Sequence, residues 1–149
     1  MKIFSLTLIG LLMSLSILSC SSNDDDSSNG NNNGGSTTTV VVDGTWKVTL
    51  FQEDNNNQTN HFTGYAFDFE STGVLNAVNG IMTQTGTWNN GGDDSGNKLN
   101  INFPTAADDT PFEEISEDWQ ILTKTTTKIE LKHVSGGDGS VDLLTFQKI

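Results

Sequence analysis

The stretch Gly64-Tyr65-Ala66-Phe67-Asp68-Phe69-Glu70 decides the fold, because its aromatic residues recur at every second position. Successive side chains of a β-strand point to opposite faces, so this alternation predicts a strand with one aromatic face. The earlier stretch Thr45-Trp46-Lys47-Val48-Thr49-Leu50 alternates in the same way, with Trp46, Val48 and Leu50 on one side. Both stretches therefore predict a sheet that buries one face and leaves the other polar.

Segments of the same character continue through residues 40–149 and bring the number of candidate strands to eight. The other six segments are 73–78, 82–88, 99–103, 119–121, 128–132 and 140–148. Short polar turns such as Asn79-Gly80 join neighbouring segments, and strands joined in this way pair antiparallel. Because a meander of this length curls and closes, we predict an all-β, antiparallel up-and-down eight-stranded barrel.

One segment interrupts the strand pattern and predicts a short helix near 110–116. Thr110 fits the N-cap position, and Pro111 fits the first helical position, where its missing N–H costs nothing. Phe112 and Ile115 follow at a helical spacing. We therefore expect both side chains to pack onto the barrel.

The inward positions of the predicted barrel carry many aromatic residues. The candidate pocket or core residues are Trp46, Tyr65, Phe67, Phe69, Trp88, Phe103, Trp119 and Phe146. An eight-stranded barrel has room either for such side chains alone or for one small ligand. The sequence leaves both readings open. Trp88 and Trp119 lie at strand ends beside polar loops, so we expect them at the rim.

The N-terminal segment has the features of a signal peptide: a positive Lys2, an uncharged and mostly apolar run over 3–18, and the chain's single cysteine, Cys20. Ile17-Leu18-Ser19-Cys20 resembles the bacterial lipobox, where the signal is cut before a cysteine that is lipidated. The resemblance implies a signal peptide at 1–19 and a lipidated Cys20. The alternatives are a transmembrane helix, for which the run is short, and an ordinary secretory signal.

Residues 20–39 follow as a linker rich in Ser, Asn, Asp, Gly and Thr, a composition that cannot bury enough apolar surface to fold. Within it, Ser22, Asp24, Asp25 and Asp26 form an acidic cluster that resembles the surface-export signal of Bacteroidetes lipoproteins. The resemblance implies a protein anchored in the bacterial outer membrane and facing the extracellular side. A periplasm-facing anchor is the alternative. The domains are then 1–19, 20–39 and the barrel at 40–149.

Asp43-Gly44-Thr45-Trp46 resembles the Gly-x-Trp motif of lipocalins, and the layout of 43–149 is similar to that of lipocalin-like lipoproteins of Bacteroidetes. This resemblance implies a lipocalin-like barrel that binds a small or apolar ligand without catalysis. The alternative is a filled-barrel structural module that contacts an envelope protein or a glycan. In both cases we expect a monomer without a cofactor.

The charge and the residue inventory argue against other classes of function. The net charge of −12 repels nucleic acid and anionic lipid surfaces, so membrane attachment must come from acyl chains on Cys20. The chain has two histidines and no Gly-x-Ser-x-Gly elbow, and all seven basic residues are lysines. A nucleophile and its base are hard to assemble from this set, so we predict that the protein is not an enzyme.

The sequence does not predict a metal site. His61 and His133 are the two histidines, no His-x-His pair occurs, and we expect both at the surface. Acidic stretches at Asp93-Asp94 and at 108–118 leave calcium binding open as an alternative. Neither stretch has the spacing of an EF-hand loop.

Overall fold

The computed structural model of the protein describes residues 36–91, 97–104, 110–137 and 139–149, which belong to one compact unit. Two short α-helices, α1 (Thr37–Val41) and α2 (Pro111–Glu114), and one 3-10 helix (Thr59–Phe62) accompany the strands. The strands are β1 (Thr45–Glu53), β2 (Asn56–Asn57), β3 (Ala66–Phe69), β4 (Val74–Asn79), β5 (Met82–Asn90), β6 (Lys98–Asn102), β7 (Asp118–Lys124), β8 (Lys128–Val134) and β9 (Val141–Lys148). The eight predicted strands correspond to β1 and β3–β9.

The strands form a closed barrel. From β3 to β9 each strand pairs antiparallel with the next one along the chain, and β1 pairs with both β3 and β9. The ladder between β1 and β9 runs from the pair Trp46 and Lys148 to the pair Gln52 and Leu143, and it closes the sheet. β2 only adds two residue pairs at the end of β1. The predicted fold, an antiparallel eight-stranded barrel consistent with the lipocalin-like class, is therefore confirmed.

Two β-bulges change which side chains face the interior. The register of β1 against β9 shifts between Val48 and Leu50, and that of β7 against β8 shifts between Ile121 and Thr123. A bulge adds one residue to one strand, so the alternation reverses beyond it. Phe51 is therefore buried inside the barrel, whereas Leu50 pairs with the outward-facing Thr145. The inward position that the alternation predicts for Leu50 is wrong for this reason.

Helix α1 covers one end of the barrel. The indole N–H of Trp46 donates a hydrogen bond of 2.8 Å to the carbonyl of Val41, and the ammonium of Lys124 donates one of 3.0 Å to the hydroxyl of Thr37. Thr37, Val40 and Val41 are buried. The predicted start of the domain at residue 40 falls inside this helix, so the folded part includes residues that we assigned to the linker.

The opposite end is covered by the 3-10 helix and by α2, because connections of an up-and-down barrel alternate between its two ends. The 3-10 helix follows β1 and β2, and α2 lies between β6 and β7. Helix α2 begins at Pro111, with Thr110 as its N-cap, and both Phe112 and Ile115 are buried. The predicted short helix is confirmed. Within the described ranges, the protein has no helix that is both long and apolar enough to span a membrane.

Candidate functional site

The aromatic residues that we predicted as pocket or core fill the interior of the barrel. Seven of the eight are buried: Trp46, Phe67, Phe69, Trp88, Phe103, Trp119 and Phe146. The ring of Phe146 lies 5.3 Å from Phe67 and 5.4 Å from Phe69, measured between centroids, and both contacts are edge-on. Phe69 in turn meets Trp88 at 5.7 Å. These are the distances of aromatic rings in direct packing, so side chains occupy this part of the interior.

Phe112 of α2 closes the interior at its end of the barrel. Its ring lies 4.9 Å from Phe103, 5.1 Å from Tyr65 and 5.6 Å from Phe62 of the 3-10 helix. All three contacts are edge-to-face, and Phe112 is buried. Tyr65 is half-buried beside them. The two helical segments therefore meet the core aromatic residues directly at this end of the barrel.

Trp88 and Trp119 do not lie at an exposed rim. The indole N–H of Trp88 donates to the carbonyl of Glu70 at 2.9 Å, and that of Trp119 donates to the carbonyl of Ile115 at 3.0 Å. Both rings are buried, and these hydrogen bonds satisfy the single polar atom of each indole. Neither ring offers an open face on which a sugar could stack.

A surface hollow opens beside Tyr65, at the seam between β1 and β3. These strands share only two residue pairs, and the 3-10 helix fills the space where their ladder would continue. The hollow measures about 380 Å³. Its walls include Lys47, Thr49, Phe62, Tyr65 and Ile149. The sequence did not predict this hollow, because the alternation of residues indicates where strands lie but not where two neighbouring strands separate.

A second surface hollow, of about 220 Å³, lies on the outer face of the barrel. Leu50, Leu122 and Leu143 line it together with Glu130 and Thr145. Leu122 is half exposed. The bulge in β1 turns Leu50 toward this face, so an apolar patch forms on the outside of strands that otherwise present polar residues there.

The largest of the described hollows, about 480 Å³, lies beside His133. Asp118, Gln120 and Lys132 are among its walls. His133 was expected at the surface, but its side chain is only 17% exposed, and its ring lies 6.0 Å from that of Trp119. His61, in contrast, is exposed as expected. The two histidines of the chain therefore have different surroundings.

Three carboxylates surround the imidazole of His133. Its Nε2 lies 3.6 Å from Oε2 of Glu117 and 3.8 Å from Oδ1 of Asp118, and its Nδ1 lies 3.6 Å from Oδ2 of Asp142. Asp118 begins β7 and Glu117 directly precedes it, whereas His133 lies near the end of β8 and Asp142 near the start of β9. Antiparallel pairing brings these strand ends together, which the sequence spacing does not show.

Lys98 fixes one carboxylate of this group. Its ammonium donates a hydrogen bond of 2.9 Å to Oδ2 of Asp118. This hydrogen bond holds the pKa of Asp118 below its ordinary value, although partial burial opposes the shift. The other oxygen of Asp118 faces His133. Among the described residues, Glu117, Asp118 and His133 form a group whose ligand atoms lie close enough together to hold a metal ion.

Several predicted residues lie outside the described part of the chain. They are Cys20 and the acidic cluster of Ser22, Asp24, Asp25 and Asp26. Asp93-Asp94 and residues 108–109 of the acidic stretch also lie outside it, so the calcium alternative for these loops stays a prediction.

Comparison with known proteins gives one similar structure. It is a DUF4847 family protein from Bacteroides vulgatus, with a TM-score of 0.49 and 16% sequence identity. The match covers 75% of this chain and 96% of that protein. No family model matches the sequence, and no curated protein matches it.

Proposed function

We propose that this protein is a lipid-anchored envelope lipoprotein whose filled barrel acts as a non-catalytic interaction module. The observation that carries the proposal is the packing of the interior. Core rings such as Phe67 and Phe146 touch one another, and Phe112 covers them at one end. Helix α1 covers the other end. A barrel filled in this way contacts other molecules with its outer surface.

The outer surface offers a feature suited to that role. The hollow around Leu50, Leu122 and Leu143 exposes apolar side chains on an otherwise acidic protein. Leucines grouped around a surface hollow offer a partner protein a place to bury one of its own apolar side chains. The partner in this proposal is an envelope protein, and no bond is made or broken.

The anchor in this proposal is Cys20. The lipobox-like sequence before it and the acidic cluster at Asp24, Asp25 and Asp26 support attachment to the outer membrane, with the barrel facing outward. A chain with one cysteine forms no internal disulfide, which fits a lipidated cysteine. The strong negative charge fits attachment by acyl chains rather than by a basic surface.

Native mass spectrometry tests the filled interior. The full chain is produced with its signal peptide in a bacterium, extracted in mild detergent and measured without denaturation. We expect the mass of the lipidated protein alone. A reproducible additional mass that is lost on unfolding would contradict the proposal and favour a carried ligand.

Two variants test the anchor and the display separately. Cys20→Ala should move the protein from the membrane fraction to the soluble fraction while leaving its unfolding curve unchanged. Replacement of Asp24, Asp25 and Asp26 by alanine should keep it in the membrane but protect it from external protease in a Bacteroidetes host. Retention of the Cys20→Ala variant in membranes would refute the anchor.

The seam hollow supports a second candidate function, the binding of a small ligand on the barrel wall. It combines the half-buried Tyr65 with the ammonium of Lys47, a pairing that suits a small amphipathic molecule. Native mass spectrometry with a panel of metabolites and lipids examines this candidate. A ligand whose affinity falls in Tyr65→Ala but not in Trp46→Phe would establish it.

A further inference from the structure

We infer that Glu117, Asp118 and His133 bind a divalent transition-metal ion. This inference goes beyond the proposed function and does not depend on it. The three side chains offer one imidazole nitrogen and two carboxylate oxygens, all within 4.8 Å of one another. Imidazole together with carboxylates is a donor set for zinc and its first-row neighbours, whereas calcium and magnesium favour oxygen ligands alone.

The two distances from the imidazole of His133 to its carboxylate neighbours are close to those between ligands of one metal ion. A tetrahedral zinc ion has bonds to nitrogen and oxygen of about 2.0–2.2 Å, so its ligand atoms lie about 3.3–3.6 Å apart. Nε2 of His133 lies 3.6 Å from Oε2 of Glu117 and 3.8 Å from Oδ1 of Asp118. Both separations are too long for a hydrogen bond. The first already lies at the upper end of the tetrahedral range, and the second needs to shorten by a few tenths of an ångström.

The far side of the imidazole provides an independent observation. Nδ1 of His133 is shielded from solvent and, within the described ranges, has no hydrogen-bond partner. It lies 3.6 Å from Oδ2 of Asp142, whose Oδ1 accepts a hydrogen bond of 3.0 Å from the backbone N–H of Asp54. Histidines that bind metals through one nitrogen usually donate the other N–H to a carboxylate. Asp142 is positioned to orient His133 in this way.

The surroundings supply the rest of a coordination shell. Lys98 holds Oδ2 of Asp118, which leaves Oδ1 turned toward His133. The hollow of about 480 Å³ next to Asp118 and His133 gives water access to the fourth position of a tetrahedral ion. Because three carboxylates surround His133, a divalent cation also offsets their mutual repulsion.

Zinc titration of the full chain in mild detergent tests the inference. Calorimetry should show uptake of one Zn²⁺ per chain, and His133→Gln should lower the affinity of this site at least tenfold. His61→Gln is the matched control, since it removes the chain's other histidine from an exposed position. It should bind zinc as the unmodified protein does.

A second variant separates coordination from folding. Asp142→Asn leaves the three donor atoms in place and should lower the affinity by about 10–100-fold, as loss of a carboxylate behind a metal-bound histidine usually does. Urea unfolding of all variants in EDTA should match that of the unmodified protein. Equal zinc affinity in His133→Gln and in the unmodified protein would overturn the inference, as would no uptake at millimolar zinc.

Discussion

Phe112→Ala tests whether helix α2 really covers the end of the barrel. The ring of Phe112 packs against Phe62, Tyr65, Phe67 and Phe103, at centroid distances between 4.9 and 6.4 Å. Substitution by alanine removes all four contacts at once and leaves a space beneath the helix. The helix itself is not expected to unfold, because alanine has the best helix propensity.

The expected cost follows from the burial of this side chain. Replacing a buried phenylalanine by alanine usually costs about 3–5 kcal/mol, which combines the lost transfer free energy with the cavity that remains. A short surface helix relaxes into the space, so the lower end, about 3 kcal/mol, is expected here. With an m-value of about 1.5 kcal/mol/M, the urea midpoint should fall by about 2 M.

Urea unfolding followed by tryptophan fluorescence measures this change. Ile81→Ala is the matched control, since Ile81 is fully exposed at the turn between β4 and β5, and it should change stability by less than about 0.5 kcal/mol. The Phe112→Ala variant should also bind a fluorescent apolar dye that the unmodified protein excludes. Equal midpoints for the two variants would refute the view that α2 closes the barrel.

Two further predictions concern close packing and the half-buried Lys124. Gly86→Ala should destabilise the barrel by more than about 2 kcal/mol in urea unfolding, because the added methyl would lie 2.4 Å from the carbonyl oxygen of Asn102. Gly136→Ala is the control and should be tolerated, since its added methyl meets nothing within 4 Å. Burial lowers the pKa of Lys124 in the folded protein below its ordinary 10.5. Between the lowered pKa and 10.5 the unfolded state binds more protons than the folded state, so the free energy of unfolding should rise with pH in this range. Lys124→Met should abolish the rise, measured by urea unfolding from pH 7 to 10.5, and an unchanged slope would show that another group causes it.

Alternation of aromatic and polar residues predicted the barrel well, because burial of one sheet face imposes period two on every strand. It missed helix α1, whose sequence Thr37-Thr38-Thr39-Val40-Val41 consists of β-branched residues with low helix propensity. Tertiary contacts stabilise this helix instead, among them the hydrogen bond from Lys124, which lies 87 positions beyond Thr37. Local sequence carries no signal for such a contact.

The surroundings of His133 were hidden for a related reason. Its partners lie 15 or more positions earlier, or in the next strand, and only the register of β7, β8 and β9 brings them together. The pair His133 and Asp142 becomes visible once the hairpin of β8 and β9 is aligned. The bulge in β7, between Ile121 and Thr123, cannot be read from the alternation, and it alters the register of the strand that carries Asp118.

The ladder between β1 and β9 also determines when the protein can fold. It joins the first strand to the last, and contacts such as that between Thr49 and Thr145 span 96 positions. Until β9 is present, β1 and β8 are left with unpaired edges that can pair with other chains. Closure therefore follows synthesis of nearly the whole domain, and high contact order makes it slow. For a chain that crosses a membrane channel before it folds, late closure would keep the domain unfolded during transport.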